Sequence, residues 1–379
     1  MPNAYITNIA SFLPNQPIAN DEMESVLGMI NGKPSRARRT ILRSNGIKSR
    51  YYAIDPKTGA TTHSNAQLTA EAVRKLDCKQ IDCLASGTSI PDQLMPSHAV
   101  MVHGELGIPP CEVVCTSGVC LSGITALKYA WMGVLSGEFR HAVATGSETI
   151  SAMMRGRCFD EEVQANIVAL EKRPEIAFEK DFLRWMLSDG AGAVLIEPQP
   201  AREGLSLKVE WIIERSYANE MDTCMYAGAD KQADGSLKGW REYTPEEWLK
   251  KSVFSIKQDV KQLNEHIIHY TVERLLTEVK QLKGIKPDDI NWFVPHYSSN
   301  FFRERVAEGL RKVNFEIPFE RWFTNLDSTG NTGAASIYIM LDELLHSGRL
   351  KAGETLLCYV PESGRISSAF MLLTACSAD

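Results

Sequence analysis

Short apolar runs alternate with segments of helical period along almost the whole chain, and this alternation confines the fold to the α/β class. Strands are expected at residues 4–9, 83–86, 112–115, 142–145, 193–196, 207–213, 292–294 and 355–360. Helices are expected at 66–76, 97–106, 121–135, 260–279, 302–310 and 334–345. No low-complexity tract or flexible linker separates them, so they belong to one compact body. Two stretches read as insertions: residues 159–184, charge-rich with a helical period, and 222–248, polar and punctuated by glycine. Such excursions usually run over the surface and sometimes cap a site.

At 379 residues the chain can bury an ample core, as one large domain or two. A net charge of −6 argues against a general nucleic-acid binder, whose affinity would come from clustered positive charge. No apolar run has the length to cross a bilayer, and Met-Pro-Asn-Ala-Tyr-Ile at the start lacks the basic-then-apolar plan of a signal peptide. Nine cysteines without regular spacing fit a reducing compartment, so a cytoplasmic location is expected. Charge is unevenly spread. Between Lys33 and Arg50 lie Arg36, Arg38, Arg39, Arg43 and Lys48 with no acidic residue, which makes either a solvated face or a patch that steers an anionic partner.

One cysteine has a chemically specific setting. An apolar strand leads into Thr116-Ser117-Gly118, then Cys120, then an amphipathic helix carrying Ile124, Leu127, Trp131 and Leu135. A thiol at a helix start feels the positive end of the helix dipole, which favours the thiolate. The first N–H groups there can bind an oxyanion. The bland alternative is a buried structural cysteine. His296 follows the apolar run 290–295, at the end of a strand where α/β folds hold their ligands; alone it would read as a core histidine. Asn331, between Gly330 and Thr332, would alone read as a helix cap. Jointly the three make a candidate thiol active site whose members meet in space and not in sequence. A metal site is not expected, because Cys111, Cys115 and Cys120 lack the paired Cys-x-x-Cys spacing.

At these residues the chain resembles the ketoacyl–acyl carrier protein synthase III group of the thiolase superfamily. The likeness also takes in Ile6-Thr7-Asn8-Ile9, Gly46-Ile47-Lys48-Ser49-Arg50, Met95-Pro96-Ser97, Ser188-Asp189-Gly190-Ala191-Gly192-Ala193, Val294-Pro295-His296 and Gly330-Asn331-Thr332-Gly333-Ala334-Ala335-Ser336. The resemblance implies a five-layer αβαβα fold of two similar halves, residues 1–200 with the nucleophile and 201–379 with His296 and Asn331, assembled as a homodimer. It implies that Cys120 carries an acyl group as a thioester. His296 and Asn331 would donate hydrogen bonds to the carbonyl of a second thioester as it becomes an enolate. The backbone N–H groups of Cys120 and Gly364 would hold the tetrahedral oxyanion, and Met95 of a neighbouring subunit would shape the acyl tunnel. No metal or redox cofactor is implied, the substrates riding on the phosphopantetheine of acyl carrier protein or on coenzyme A.

Departures from the family pattern narrow the expectation. Ser122 stands where the housekeeping enzymes have glycine, His296-Tyr297-Ser298-Ser299-Asn300 is one residue longer than their motif, and the C-terminal loop keeps only Gly364 of three glycines. Thr40 and Ser44 replace the Trp and Arg that sandwich the adenine of coenzyme A in those enzymes. That favours carrier-protein substrates and gives Arg36, Arg38, Arg39 and Arg43 a role in docking an acidic carrier. The expected activity is a Claisen-type carbon–carbon condensation, closest to ketosynthases of secondary metabolism that couple β-ketoacyl units into cyclohexanedione or dialkylresorcinol precursors. A thiolase-fold acyltransferase acting on an alcohol or amine, and a fatty-acid-initiating synthase, are the alternatives.

Overall fold

The computed structural model describes residues 2–162 and 183–377. Nine strands form the main sheet: β1 (Tyr5–Phe12), β2 (Cys83–Thr88), β3 (Glu112–Ser117), β4 (Ala142–Glu148), β5 (Gly190–Glu197), β6 (Leu205–Ser216), β7 (Trp292–Pro295), β8 (Thr355–Glu362) and β9 (Ser367–Ser377). Their spatial order is β7-β8-β9-β6-β1-β5-β4-β2-β3. The order repeats itself. Parallel β2 and β4 run into antiparallel β5 and β1, just as parallel β7 and β8 run into antiparallel β9 and β6. The two runs join where β1 pairs with β6, at Tyr5 opposite Lys208 and Ile6 opposite Leu207.

The main helices are α1 (Arg38–Asn45), α2 (Asn65–Arg74), α3 (His98–Leu106), α4 (Ser122–Ser136), α5 (Val260–Ile268), α6 (Leu275–Lys283), α7 (Phe301–Lys312) and α8 (Ser336–His346). Side-chain alternation along the strands assigns them to layers. Leu356, Cys358 and Val360 of β8 turn into one apolar cluster with Ile124 and Leu127 of α4 and Ile337 and Leu341 of α8. The interleaved Leu357 and Tyr359 turn the other way, against Ile268 of α5, Leu276 of α6 and Val306 of α7. Likewise Ala142 and Ala144 of β4 face α4, and Val143 faces Leu68 and Val73 of α2. Helices α4 and α8 thus form a middle layer between the two half-sheets, with helices outside both. This is the thiolase-type αβαβα arrangement that the resemblance implies.

Glycines permit the close contact at the middle layer. A Cβ on Gly123 of α4 or on Gly146 of β4 would stand 2.2 Å from the carbonyl oxygen of Ala334, and one on Gly192 of β5 would stand 2.2 Å from Cβ of Tyr338. The Tyr338 hydroxyl donates to the Gly123 carbonyl at 2.8 Å. The Asp-Gly-Ala-Gly-Ala block therefore serves packing: its glycines admit α8, and Asp189 accepts from the N–H groups of Ala53 and Ser151.

Two expectations need correction. The helix expected at 260–279 is broken into α5 and α6 by a π turn at His269–Arg274. There the Thr271 hydroxyl donates to the Ile267 carbonyl and meets the Tyr359 hydroxyl, a back-bonding that widens the turn. Strand β9 was not expected, because its mostly apolar run between Ser367 and Ser377 has no clean alternation to distinguish it from buried helix. Of the two insertions, the first falls mostly outside the described residues. The second carries a small hairpin (Ala229–Lys231 with Leu237–Gly239) and a strand, Met225–Tyr226, paired with Lys257–Gln258.

Candidate active site

A cavity of about 360 Å³ opens where the carboxyl ends of the parallel strands of both halves converge. Ser89 follows β2, Gly118 follows β3, Glu148 ends β4, His296 follows β7, and Glu362 ends β8. Cys120, His296, Asn331 and Gly364 all line this one cavity. Met225, Tyr226 and Ala227 also line it, so the second insertion covers the site and is more than a surface excursion.

Cys120 stands in the turn before α4, half-buried at the cavity wall. The turn explains the serine in the glycine position: the Ser122 hydroxyl donates to the Val119 carbonyl at 2.8 Å, and its own carbonyl accepts from Thr116 Oγ1 at 2.7 Å. The expectation of a stabilised thiolate is reversed. Glu362 Oε2 accepts from the N–H groups of Val119 at 2.9 Å and Leu121 at 3.2 Å, so a carboxylate already occupies the helix start. Burial first, then Glu362 and Glu148, push the Cys120 thiol well above its ordinary value. Cys120 therefore rests as a thiol.

His296 is buried, and its backbone N–H donates to the Tyr359 carbonyl at 2.8 Å. Burial lowers its pKa to about 4, so the imidazole is neutral at physiological pH and retains one N–H to donate. Asn331 is held by its backbone, which donates to Met186 O and accepts from Ser188 N, each at 2.9 Å. Its Oδ1 accepts from Gly333 N at 2.9 Å, the local cap anticipated from sequence, which leaves the amide Nδ2 as the donor for the cavity. Gly364 is placed by its carbonyl, which accepts from Cys224 N at 2.8 Å and Met225 N at 3.1 Å.

Two carboxylates at this site escaped the sequence reading. Glu148 is fully buried, with Oε1 accepting from the N–H groups of Ser89 (3.1 Å) and Ala334 (3.2 Å). Burial raises its pKa to about 7. Glu362 is raised too, again chiefly by burial. The signal was present in both cases: a single charge closing an otherwise uncharged strand, at the end where ligands gather.

The expected docking residues form a smaller patch than the run of charges implied. Arg36, Arg39 and Arg43 are exposed. Arg38 instead turns inwards to Glu24 at 3.2 Å and lies over the Trp185 ring, so its charge is matched. Arg50 is fully buried and donates through Nε to the Trp185 carbonyl at 3.1 Å, bracing the loop beside Gly330. Met95 is 84% exposed and lies outside the cavity lining of its own chain.

Residues 280–371 match the family described as the 3-oxoacyl-[acyl-carrier-protein (ACP)] synthase III C terminal. The beta-ketoacyl-[acyl-carrier-protein] synthase III of Rhizorhabdus wittichii is 26% identical over 94% of this chain and 94% of its own length. That of Xanthomonas oryzae pv. oryzae is 25% identical over 93% and 92%. The chain is a condensing enzyme similar to synthase III along most of its length. Solved structures agree on its fold. A tetronic acid condensing enzyme, AbyA1, superposes with a TM-score of 0.76 at 20% identity, covering 98% of this enzyme and 99% of that chain. Xanthomonas campestris OleA, solved with bound lauric acid and lauroyl-CoA, gives 0.71 at 19% identity over 98% and 99%. Among the described residues, no helix of the enzyme is long and apolar enough to cross a membrane.

Proposed function

We propose that this enzyme joins an acyl group held on Cys120 to the α-carbon of a β-ketoacyl thioester, both delivered by acyl carrier protein, as a step towards cyclohexanedione or dialkylresorcinol products. One observation carries this reading. Among the described residues, the cavity walls combine apolar side chains such as Ile256, Leu263, Ile267 and Phe302 with the carboxyl groups of buried Glu148 and half-buried Glu362, and no lysine or arginine lines them. A β-carboxylated substrate would bring a further carboxylate into that space, at a desolvation and repulsion cost that an uncharged β-ketoacyl chain escapes. In the coupling, Cys120 takes the acyl group, and the neutral His296 and Asn331 Nδ2 donate to the thioester carbonyl of the second substrate as it becomes an enolate. The backbone N–H groups of Cys120 and Gly364 receive the tetrahedral oxyanion.

Likeness in fold to AbyA1, a tetronic acid condensing enzyme, is compatible with a specialised branch. Thr40 and Ser44 on α1 favour a carrier protein over coenzyme A, and the exposed Arg36, Arg39 and Arg43 suit an acidic carrier. A cytoplasmic homodimer belongs to the same reading, supported by the open edge of β3 and the exposed Leu94 and Met95. The test is incubation with acyl and β-ketoacyl carrier-protein thioesters followed by mass spectrometry. The expected product keeps every carbon of both acyl units without loss of CO₂. Coupling that occurs only with a malonyl thioester and releases CO₂ overturns the reading in favour of a fatty-acid-initiating enzyme.

A further inference from the structure

A β-ketoacyl nucleophile, unlike a malonyl one, loses no CO₂ to generate its carbanion, so an α-proton must be removed by a base at the site. Among the described residues, one histidine and two carboxylic acids line the cavity with Cys120: His296, Glu148 and Glu362. His296 is already the enolate donor of the proposed function, and its neutral ring cannot both donate to the developing oxyanion and accept the proton from the adjacent carbon through the same nitrogen. Glu148 is built into the wall. Its Oε1 receives Ser89 N, Ser89 Oγ and Ala334 N, and its Oε2 is sealed from solvent without a hydrogen-bond partner. A Cβ on Gly333 would stand 2.9 Å from its Cγ, so the Asn331–Gly333 turn closes over it.

Glu362 is arranged differently. Only Oε2 is engaged, by the two N–H groups that flank Cys120 in sequence. Among the described residues Oε1 makes no hydrogen bond, and it lies 3.2 Å from where a Cβ on Gly364 would stand. The two backbone bonds fix the carboxylate beside the nucleophile while leaving the second oxygen for a substrate. The loop that carries it is tied to the insertion covering the site, since Cys224 N and Met225 N both donate to Gly364 O.

Resting on the β-ketoacyl reading above, we propose that Glu362 is the catalytic base that removes the α-proton of the second substrate and returns it to Cys120. The α-C–H bond breaks, its proton passes to Oε1 of Glu362, and its electron pair becomes the enolate held by His296 and Asn331. The enolate carbon forms the new bond to the acyl carbonyl on Cys120. The tetrahedral oxyanion then re-forms its C=O as the C–S bond breaks, and the released Cys120 sulfur takes the proton back from Glu362. Every proton and electron pair is accounted for without another reactant. The thiol's preference for its proton next to this carboxylate, caused by burial and then by Glu362 itself, favours that last transfer.

The experiment separates the two half-reactions. Enzyme is first acylated with an acyl N-acetylcysteamine thioester, the adduct at Cys120 is verified by mass, and a 3-oxoacyl N-acetylcysteamine thioester is added in a single turnover. Glu362→Gln is expected to gain the acyl mass but to couple about 100-fold more slowly or worse, in the range typical for loss of a general base. Glu362→Asp should retain part of the rate. Glu362→Gly, which leaves room at Oε1, should be accelerated by added formate, a rescue that a merely structural role would not show. Coupling by Glu362→Gln within about threefold of wild type overturns the proposal, as does a selective coupling loss in Glu148→Gln instead. If wild-type enzyme itself couples only malonyl thioesters, the β-ketoacyl reading fails first and the base falls with it.

Discussion

Ala334 places its carbonyl oxygen 2.2 Å from the point that a Cβ on Gly123 would occupy, which welds the helix behind Cys120 to the turn that carries Asn331. Both sides of this contact are backbone, so neither can yield as a flexible side-chain tip would. Gly123→Ala is therefore expected to cost about 3 kcal/mol, at the upper end of overpacking penalties, and to lower the melting temperature by several degrees. Gly104→Ala is the control. Gly104 lies in α3 with open space where its Cβ would go, and alanine there should raise stability by about 0.5–1 kcal/mol. Thermal denaturation of the pair decides it; equal melting temperatures would show that α4 and α8 can slide apart.

The Glu362 carboxylate beside the helix start bears directly on thiol chemistry. Burial does most to hold the Cys120 thiol up, and the Glu362 charge adds to it. Glu362→Gln removes that charge, so more thiolate is present at any given pH. Alkylation of Cys120 by iodoacetamide at pH 7.5 should become about tenfold faster, one pKa unit of relief. An unchanged or slower rate would mean that Glu362 does not face the sulfur.

The positions of these groups show what the sequence could and could not disclose. Cys120, His296 and Asn331 were legible because each sits where an apolar run gives way to a turn, and the structure brings all three to one cavity. The direction of the thiol shift was not legible. It depends on Glu362, separated from Cys120 by more than two hundred positions, and no local rule announces that a strand end will dock on a distant helix start. The basic run shows the same limit: it contains no acidic residue, yet Glu24, outside it, folds onto Arg38. Most strands were legible as short apolar runs bounded by turns, and β9 was not, because its longer and mostly apolar run does not distinguish a strand from buried helix.

Asn331 and His296 can be tested apart from acylation. Because Asn331 Oδ1 is committed to Gly333 N, only Nδ2 can serve an enolate, and Asn331→Ala removes that donor. Coupling should fall about 100-fold or more while Cys120 still accepts the acyl group. With the His296 pKa lowered to about 4 by burial, lowering the pH from 8 to 6 should not titrate it. A coupling rate that follows a single ionisation near 6.5, absent in His296→Gln, would contradict a neutral donor.

Glu148 carries a prediction about stability and pH. Burial raises its pKa from 4.5 to about 7, so the folded state binds a proton that the unfolded state has released between those values. Its contribution is fully present below about 4.5 and is lost as the pH rises through about 7. At pH 8 the buried charge should cost on the order of 3 kcal/mol. Glu148→Gln, which keeps an acceptor for Ser89 and Ala334, should thus raise the melting temperature at pH 8 and change it little at pH 5. Stabilisation larger at pH 5 than at pH 8 would reverse the sign and refute the assignment.

The basic face of α1 offers the last test, on the carrier protein. Arg36, Arg39 and Arg43 are exposed, whereas the Arg38 charge is already matched by Glu24 at 3.2 Å. Electrostatic docking of an acidic partner acts mainly on encounter and is screened by salt. Charge reversal in the triple variant Arg36→Glu, Arg39→Glu, Arg43→Glu should therefore raise KM for carrier-protein substrates about tenfold at low salt and leave KM for N-acetylcysteamine thioesters within twofold. The gap should narrow as ionic strength rises from about 0.05 M to 0.5 M, where the screening length falls below the spacing of the partners' charges. Arg38→Glu, by contrast, sets two carboxylates against each other beside Trp185, and its effect should appear in the melting temperature more than in the choice between carrier-bound and small substrates. Equal KM effects on both substrate types in the triple variant would reduce the patch to a solvated face.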